Sequence, residues 1–175
     1  GEVMRWPQFR GVGAMGIAEN PEIPETWNSG KNVAWKVPVE GMGWSCPSVW
    51  GERIFITTAV SSAATEKIKE GLYFGGERPP PKDVHEWKVI CLDLKTGKKL
   101  WNLRLPGSCW ASPLSAEKRI YFFTKEGTAI VLPADGTSKI LAENKLNIEG
   151  RIYGVAAVNN AFVIRTGLEL IRVGS

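Results

Sequence analysis

A chain of 175 residues that is 43% hydrophobic and 23% charged has the balance of a folded protein rather than a disordered one. No apolar run approaches the roughly 20 residues of a membrane-spanning helix, three cysteines cannot build a dense disulfide scaffold, and a lone histidine, His85, argues against histidine-rich metal sites. Twenty-two basic and 18 acidic residues leave a formal charge of +4 with the signs interspersed, and without a basic-aromatic groove pattern nucleic acid is not an expected partner.

The chain opens with an extended arm, residues 1–31. Gly11-Val-Gly-Ala-Met-Gly16 has the spacing of a dinucleotide fingerprint but lacks its setting. That fingerprint needs a strand before it and a helix after it, and Pro21 and Pro24 would break such a helix early. No charged start followed by an apolar run is present, so the sequence reads either as cytoplasmic or as a mature form without its leader.

A repeat organises the rest. Trp44–Thr58 aligns without a gap on Trp110–Thr124 at a spacing of 66, matching Trp44 to Trp110, Pro47 to Pro113 and Arg53 to Arg119. A third copy, Ile152–Thr166, follows about 42 positions later, and Val89–Trp101 lies over Ile130–Ala142 at a similar spacing. The period is therefore about 42, and the longer interval contains an insertion of about 24 residues at 61–86, rich in Gly and Pro.

Taken in order, residues 32–37 form a single strand. The first unit, 44–105, has strands at 45–50, 53–58, 87–92 and 99–105, with turns at 51–52 and 95–97. The second unit spans 110–146, and 152–175 is a partial third. The runs are short, rich in Val, Ile, Phe, Tyr and Trp, and bounded by Gly, Pro, Asp or Asn; no window keeps a 3.6-residue period. The expected fold is all-β, with four-stranded antiparallel blades of propeller type, about three per chain. Because 32–37 resembles a fourth strand, with Trp35 over Trp101, it is expected to close the partial last blade. Three blades cannot readily seal a ring, so association with further copies is expected to complete a larger one.

Asp93-Leu-Lys-Thr96-Gly97-Lys-Lys-Leu-Trp101 is the most specific motif. Asp93 and Thr96 can hydrogen-bond across a tight turn, Gly97 can supply a positive φ, and Trp101 on the next strand can pack on the neighbouring blade. Lys95, Lys98 and Lys99 around that turn read as solvated. The motif resembles the tryptophan-docking repeat of the pyrroloquinoline-quinone-like β-propellers, here with Trp35 as a second docking residue. Trp6-Pro-Gln-Phe-Arg-Gly11 resembles the start of the secreted bacterial members, Glu70–Pro79 with His85-Glu-Trp-Lys their first-blade loop, and Gly150–Ala157 to Thr166 their closing blade. The resemblance implies a periplasmic or extracellular protein. The chain departs from it by holding about three blades rather than seven or eight, and by carrying Asp135-Gly136 and Ala142 where the second unit would repeat the motif.

The quinoprotein dehydrogenases of that superfamily add a catalytic aspartate, oxygen ligands for a cation and often adjacent cysteines. None of these patterns stands out here, so no cofactor, no metal and no catalytic residue is expected. Cys46, Cys91 and Cys109 lack a CxxC spacing and read either as buried thiols or as one disulfide and one free thiol. His85 reads as a structural hydrogen-bonder, and Ser45 and Ser112 have no partner histidine in their repeats. Trp44, Trp110, Arg151 and Tyr153 sit where a propeller lines its mouth, either as packing between blades or as a binding rim. The expected function is a non-catalytic interaction module that self-associates. A glycan-binding module using the tryptophan rim and a quinone-dependent oxidoreductase are the alternatives.

Overall fold

A computed structural model describes residues 5–18, 23–63, 83–158 and 160–174. Among them there is no α-helix, and no helix is long and apolar enough to cross a membrane. Twelve strands form three antiparallel sheets. The first sheet runs in the order β1 (Arg5–Trp6), β2 (Ser48–Trp50), β3 (Arg53–Ser61), β4 (His85–Asp93) and β5 (Lys99–Arg104). The second is β6 (Leu114–Ala116), β7 (Arg119–Phe123), β8 (Thr128–Pro133) and β9 (Ala142–Lys145). The third is β10 (Ile152–Val158), β11 (Ala161–Thr166) and β12 (Leu170–Val173).

Strand alternation explains why these sheets stack. Side chains along a strand point to opposite faces in turn, and here both sets are apolar. On β3 and β4, Phe55, Val89 and Cys91 pack with Ile120, Phe122, Ile130 and Leu132 of the second sheet. The intervening residues Ile54, Ile90 and Leu92 face the other way and are covered by Trp35. The second sheet repeats the device: Phe123 and Ala129 turn towards Ile152 and Ile164 of the third. Each fully buried Phe, Ile or Leu side chain contributes about 1.5–3 kcal/mol of transfer free energy. The second sheet is thus held on both faces. No buried cluster of described residues joins the third sheet to the first, and the sheets do not close on themselves.

The expected closing strand is corrected. Residues 32–37 are extended but form no strand, and they do not reach the third sheet, which has three strands among the described residues. Exposure alternates along this run, with Trp35 and Val37 half-buried and their neighbours exposed. Trp35 packs on the face of the first sheet opposite the second, and its indole N–H donates to the Leu94 carbonyl at 3.1 Å. With face-to-face sheets about 10 Å apart, two intervening sheets keep the segment from its expected partner.

Smaller differences have local causes. The strand expected from Ser45 begins at Ser48, because the Ser45 hydroxyl takes the place of a ladder partner. Ser45 Oγ accepts from the Thr57 amide at 3.1 Å. The β3–β4 pairing reaches Ser61↔His85, so both ends of the expected 61–86 insertion belong to the sheet. Residues 64–82, including most of Glu70–Pro79, lie outside the described residues.

The arm is more than an extended leader to the sheets. Arg5 and Trp6 add a fifth strand to the first sheet beside β2. The next carbonyl, Pro7 O, accepts from Ser48 Oγ in the first sheet and from the Ser115 amide, at 2.7 Å, in the second. The Gly11–Gly16 run follows as a compact loop, where the Gly16 amide donates to Arg10 O at 2.8 Å. A side chain at Gly11 (φ +71°) would collide with the Trp6 ring, so its role is steric, and no helix follows to receive a phosphate.

Candidate functional site

Three features carry the chemistry of this chain: the docking turns, an exposed tryptophan beside a cavity, and an aromatic-cationic cluster. The first docking turn joins β4 to β5. Asp93 Oδ1 accepts from the Thr96 amide at 2.9 Å and from Thr96 Oγ1 at 2.7 Å. These two bonds, with Arg53 at 3.2 Å from the other carboxylate oxygen, hold the Asp93 carboxyl below its ordinary range. Gly97 closes the turn at φ +70°, and Trp35 lies flush against its Cα.

Trp101, on β5, reaches the equivalent turn of the second sheet, where its indole N–H donates to the Gly136 carbonyl. There Asp135 Oδ1 accepts from the Thr137 amide at 2.9 Å, a bond that lowers the Asp135 carboxyl in the same sense. The two tryptophans therefore do one job at successive interfaces: each ties an outer segment to a turn carbonyl of the next sheet. Ala142, which occupies the corresponding place on β9, has no side-chain donor to do so.

Gly97 is the position where this device is most sensitive. A methyl group there would fall on the Trp35 ring, and an L-residue at φ +70° costs about 1–2 kcal/mol by itself. Gly97→Ala is expected to lower stability by about 2 kcal/mol in urea titration. An unchanged midpoint would show that Trp35 is not seated on the turn.

The four residues predicted for the rim separate into two groups. Trp110, Arg151 and Tyr153 come together. The Arg151 guanidinium carbon lies 5.2 Å from the centre of the Trp110 ring, a cation–π arrangement, and Tyr153 meets Trp110 edge-on at 5.6 Å. Trp110 and Tyr153 stay 46% and 54% exposed, so the cluster is a surface feature. Trp44 stands apart at 86% exposure, with no ring partner among the described residues. The segments bearing the two tryptophans are nevertheless adjacent, because the Cys46 amide donates to Ser112 Oγ at 3.2 Å.

Trp44 borders a cavity of about 320 Å³ lined by Val39, Met42, Ile56, Thr57 and Thr58. It lies beside the middle of β3, between the Ser48–Phe55 pair and the Met42–Ala59 bridge. On its wall, Thr58 Oγ1 donates to Glu40 O at 2.6 Å and Ser45 Oγ accepts from the Thr57 amide. Sequence reasoning had no view of this cavity; Gly41-Met42-Gly43 before Trp44 was the available signal, since only glycines allow so close an approach to β3.

The remaining candidates take structural places. His85 starts β4, exposed, with Nδ1 3.1 Å from the Asp83 carbonyl. All three cysteines are free thiols. Burial pushes the Cys91 and Cys109 thiols up to about 12, inside the cluster between the first two sheets, while Cys46 is half-exposed. A thiol reagent at pH 8 is therefore expected to modify one cysteine, Cys46, rapidly and the other two only on unfolding. Rapid modification of all three in the folded protein would contradict the buried cluster. The folded values lie above the ordinary 9.0, so this contribution to stability is complete below pH 9 and fades as pH rises towards 12.

Among the described residues, no group of three or more His, Cys, Asp or Glu side chains is placed to hold a metal ion.

No protein-family model and no curated protein matches the chain. Among solved structures, it is similar to the crystal structure of BamB from Moraxella catarrhalis, at 18% sequence identity and a TM-score of 0.41. The matched region covers 49% of this chain and 25% of that one.

Proposed function

We propose that this chain is a non-catalytic interaction module of propeller-type blades that works by protein–protein contact and associates with copies of itself. One observation carries the reading: a stack of three sheets whose two outer faces differ. One end is the first sheet with Trp35 laid over Ile54, Ile90 and Leu92. The other is the three-stranded third sheet, where Leu170 and Val158 are exposed. Exposed apolar faces at the ends of a stack favour association, and rings of this type use four to eight blades. Export to the periplasm or the cell exterior is part of the reading and is supported by the resemblance of Trp6–Gly11 to the start of secreted propeller proteins.

Light scattering on the eluting protein tests association. A mass at a multiple of 19.3 kDa is expected at micromolar concentration, and a stable, folded species of 19.3 kDa would overturn it.

A second reading, glycan binding, is favoured by Trp44 alone. An indole 86% exposed beside a cavity offers a flat apolar platform of the kind a sugar ring stacks on. Tryptophan fluorescence titrated with oligosaccharides tests it; saturable quenching that disappears in Trp44→Ala supports binding, and no quenching removes it.

A further inference from the structure

Two exposed tryptophans hold equivalent places on successive sheets, Trp44 ahead of β2 and Trp110 ahead of β6, and their surroundings differ in charge. Trp44 presents an open indole beside its cavity, whose volume of about 320 Å³ falls at the small end of the range for small-molecule sites. Trp110 instead carries a cation. The Arg151 guanidinium sits over its ring, 5.2 Å from the centre, and Tyr153 supports the same indole edge-on.

A guanidinium attracted through its flat face keeps its N–H donors at its rim, where they match the two oxygens of a carboxylate. Arg151 is exposed, and among the described residues no carboxylate lies within ion-pair distance of it. Acidic side chains of the adjoining loops are engaged elsewhere. The loop after β7 reaches this point, since the Ile152 amide donates to Lys125 O at 3.0 Å, but Glu126 pairs with Lys125 at 3.5 Å. Glu169 accepts from the Glu149 amide at 3.3 Å. Aromatic rings thus hold a cation at the surface with its donors turned to no acid of its own.

The two tryptophans belong to one surface. Between them the Cys46 amide donates to Ser112 Oγ, so their segments run side by side. Face-to-face sheets lie about 10 Å apart, and equivalent positions on the first and second sheets are separated by about that step. A chain of like sugar units meets repeated positions in register. That repetition favours a glycan over an acidic protein surface.

We propose that this surface binds acidic oligosaccharides, one sugar ring stacking on Trp44 while Arg151 pairs with the carboxylate of a uronate unit further along the same ligand. The proposal rests on the glycan reading and adds the charge of the ligand. Trp110 and Tyr153 are positioning residues, acting through Arg151.

Calorimetry with galacturonate, mannuronate and glucuronate oligomers tests this, each beside the same oligomer with its carboxyl groups reduced to alcohols. At least one acidic form is expected to bind about tenfold more tightly than its reduced partner, the worth of a charge-assisted hydrogen bond, and to lose that advantage as salt is added. Arg151→Gln is expected to bring the acidic form down to the reduced one and leave the reduced one unchanged, with part of the difference restored in Arg151→Lys. Trp44→Ala is expected to weaken both forms. Arg151 and Trp44 are exposed, so these variants keep the fold by circular dichroism. Equal binding of acidic and reduced forms, or no loss in Arg151→Gln, would overturn the proposal while leaving the glycan reading intact. No binding of any oligomer would overturn both. Polyglutamate bound as tightly as the uronates, with the same dependence on Arg151, would assign the surface to an acidic protein and overturn the glycan.

Discussion

Phe55→Ala is expected to destabilise the protein by about 4 kcal/mol, among the largest losses any single substitution in this chain can produce. Phe55 is fully buried at the centre of the cluster joining the first and second sheets, and its ring lies 6.2 Å from that of Trp101. Truncation removes the transfer free energy of the ring and leaves a cavity between two sheets whose backbones are fixed by their ladders, so little collapse can offset it. Domains of this kind are stable by about 5–15 kcal/mol, so the variant would sit close to its unfolding threshold. Urea unfolding should show a lower midpoint with an unchanged slope. A loss under about 1 kcal/mol would mean that the two sheets are not packed through this residue. Phe55→Leu, which keeps most of the volume, should lose less than half as much.

Trp101→Ala is expected to cost about 3 kcal/mol, and Trp101→Phe about 1 kcal/mol. The difference separates two contributions. The indole body is half-buried against the inter-sheet cluster, and its N–H donates to Gly136 O across the interface. Phenylalanine keeps most of the body but leaves that carbonyl without its donor. Packing therefore outweighs the hydrogen bond, as expected where the lost bond can be replaced by water at a partly exposed turn. If Trp101→Phe proved as damaging as Trp101→Ala, the hydrogen bond would be the dominant tie and this ranking would be wrong.

The strands could be read from the sequence because their pattern is local. Arg53–Ser61 and Ile120–Phe123 carry the same apolar slot, and the Asp93–Trp101 motif specifies its own turn through Asp93, Thr96 and Gly97. The all-β character follows from such runs. Which sheet an isolated strand-like run will join is a tertiary matter. Residues 32–37 alternate in either location, and only the packing of Trp35 against Ile54, Ile90 and Leu92 decides it.

The arm escaped notice for a related reason. Its principal contact is a backbone carbonyl, Pro7 O, which no side-chain pattern advertises. The rim was visible as an equivalence of positions, but equivalence misled at Trp44. In the third unit, Arg151 and Tyr153 supply partners for Trp110. Their counterparts in the second unit are Cys109 and Ala111, both buried and small, which offer an indole neither a cation nor a ring. Trp44 is left exposed as a result, and the cavity beside it belongs to tertiary structure alone.

Hydrogen exchange followed by mass spectrometry across a range of protein concentration tests the central claim most directly. The account predicts that amides of Ile120–Phe123 and Ile130–Leu132 exchange slowly at every concentration, since that sheet is covered on both faces. Rapid exchange in the second sheet would contradict a three-sheet stack.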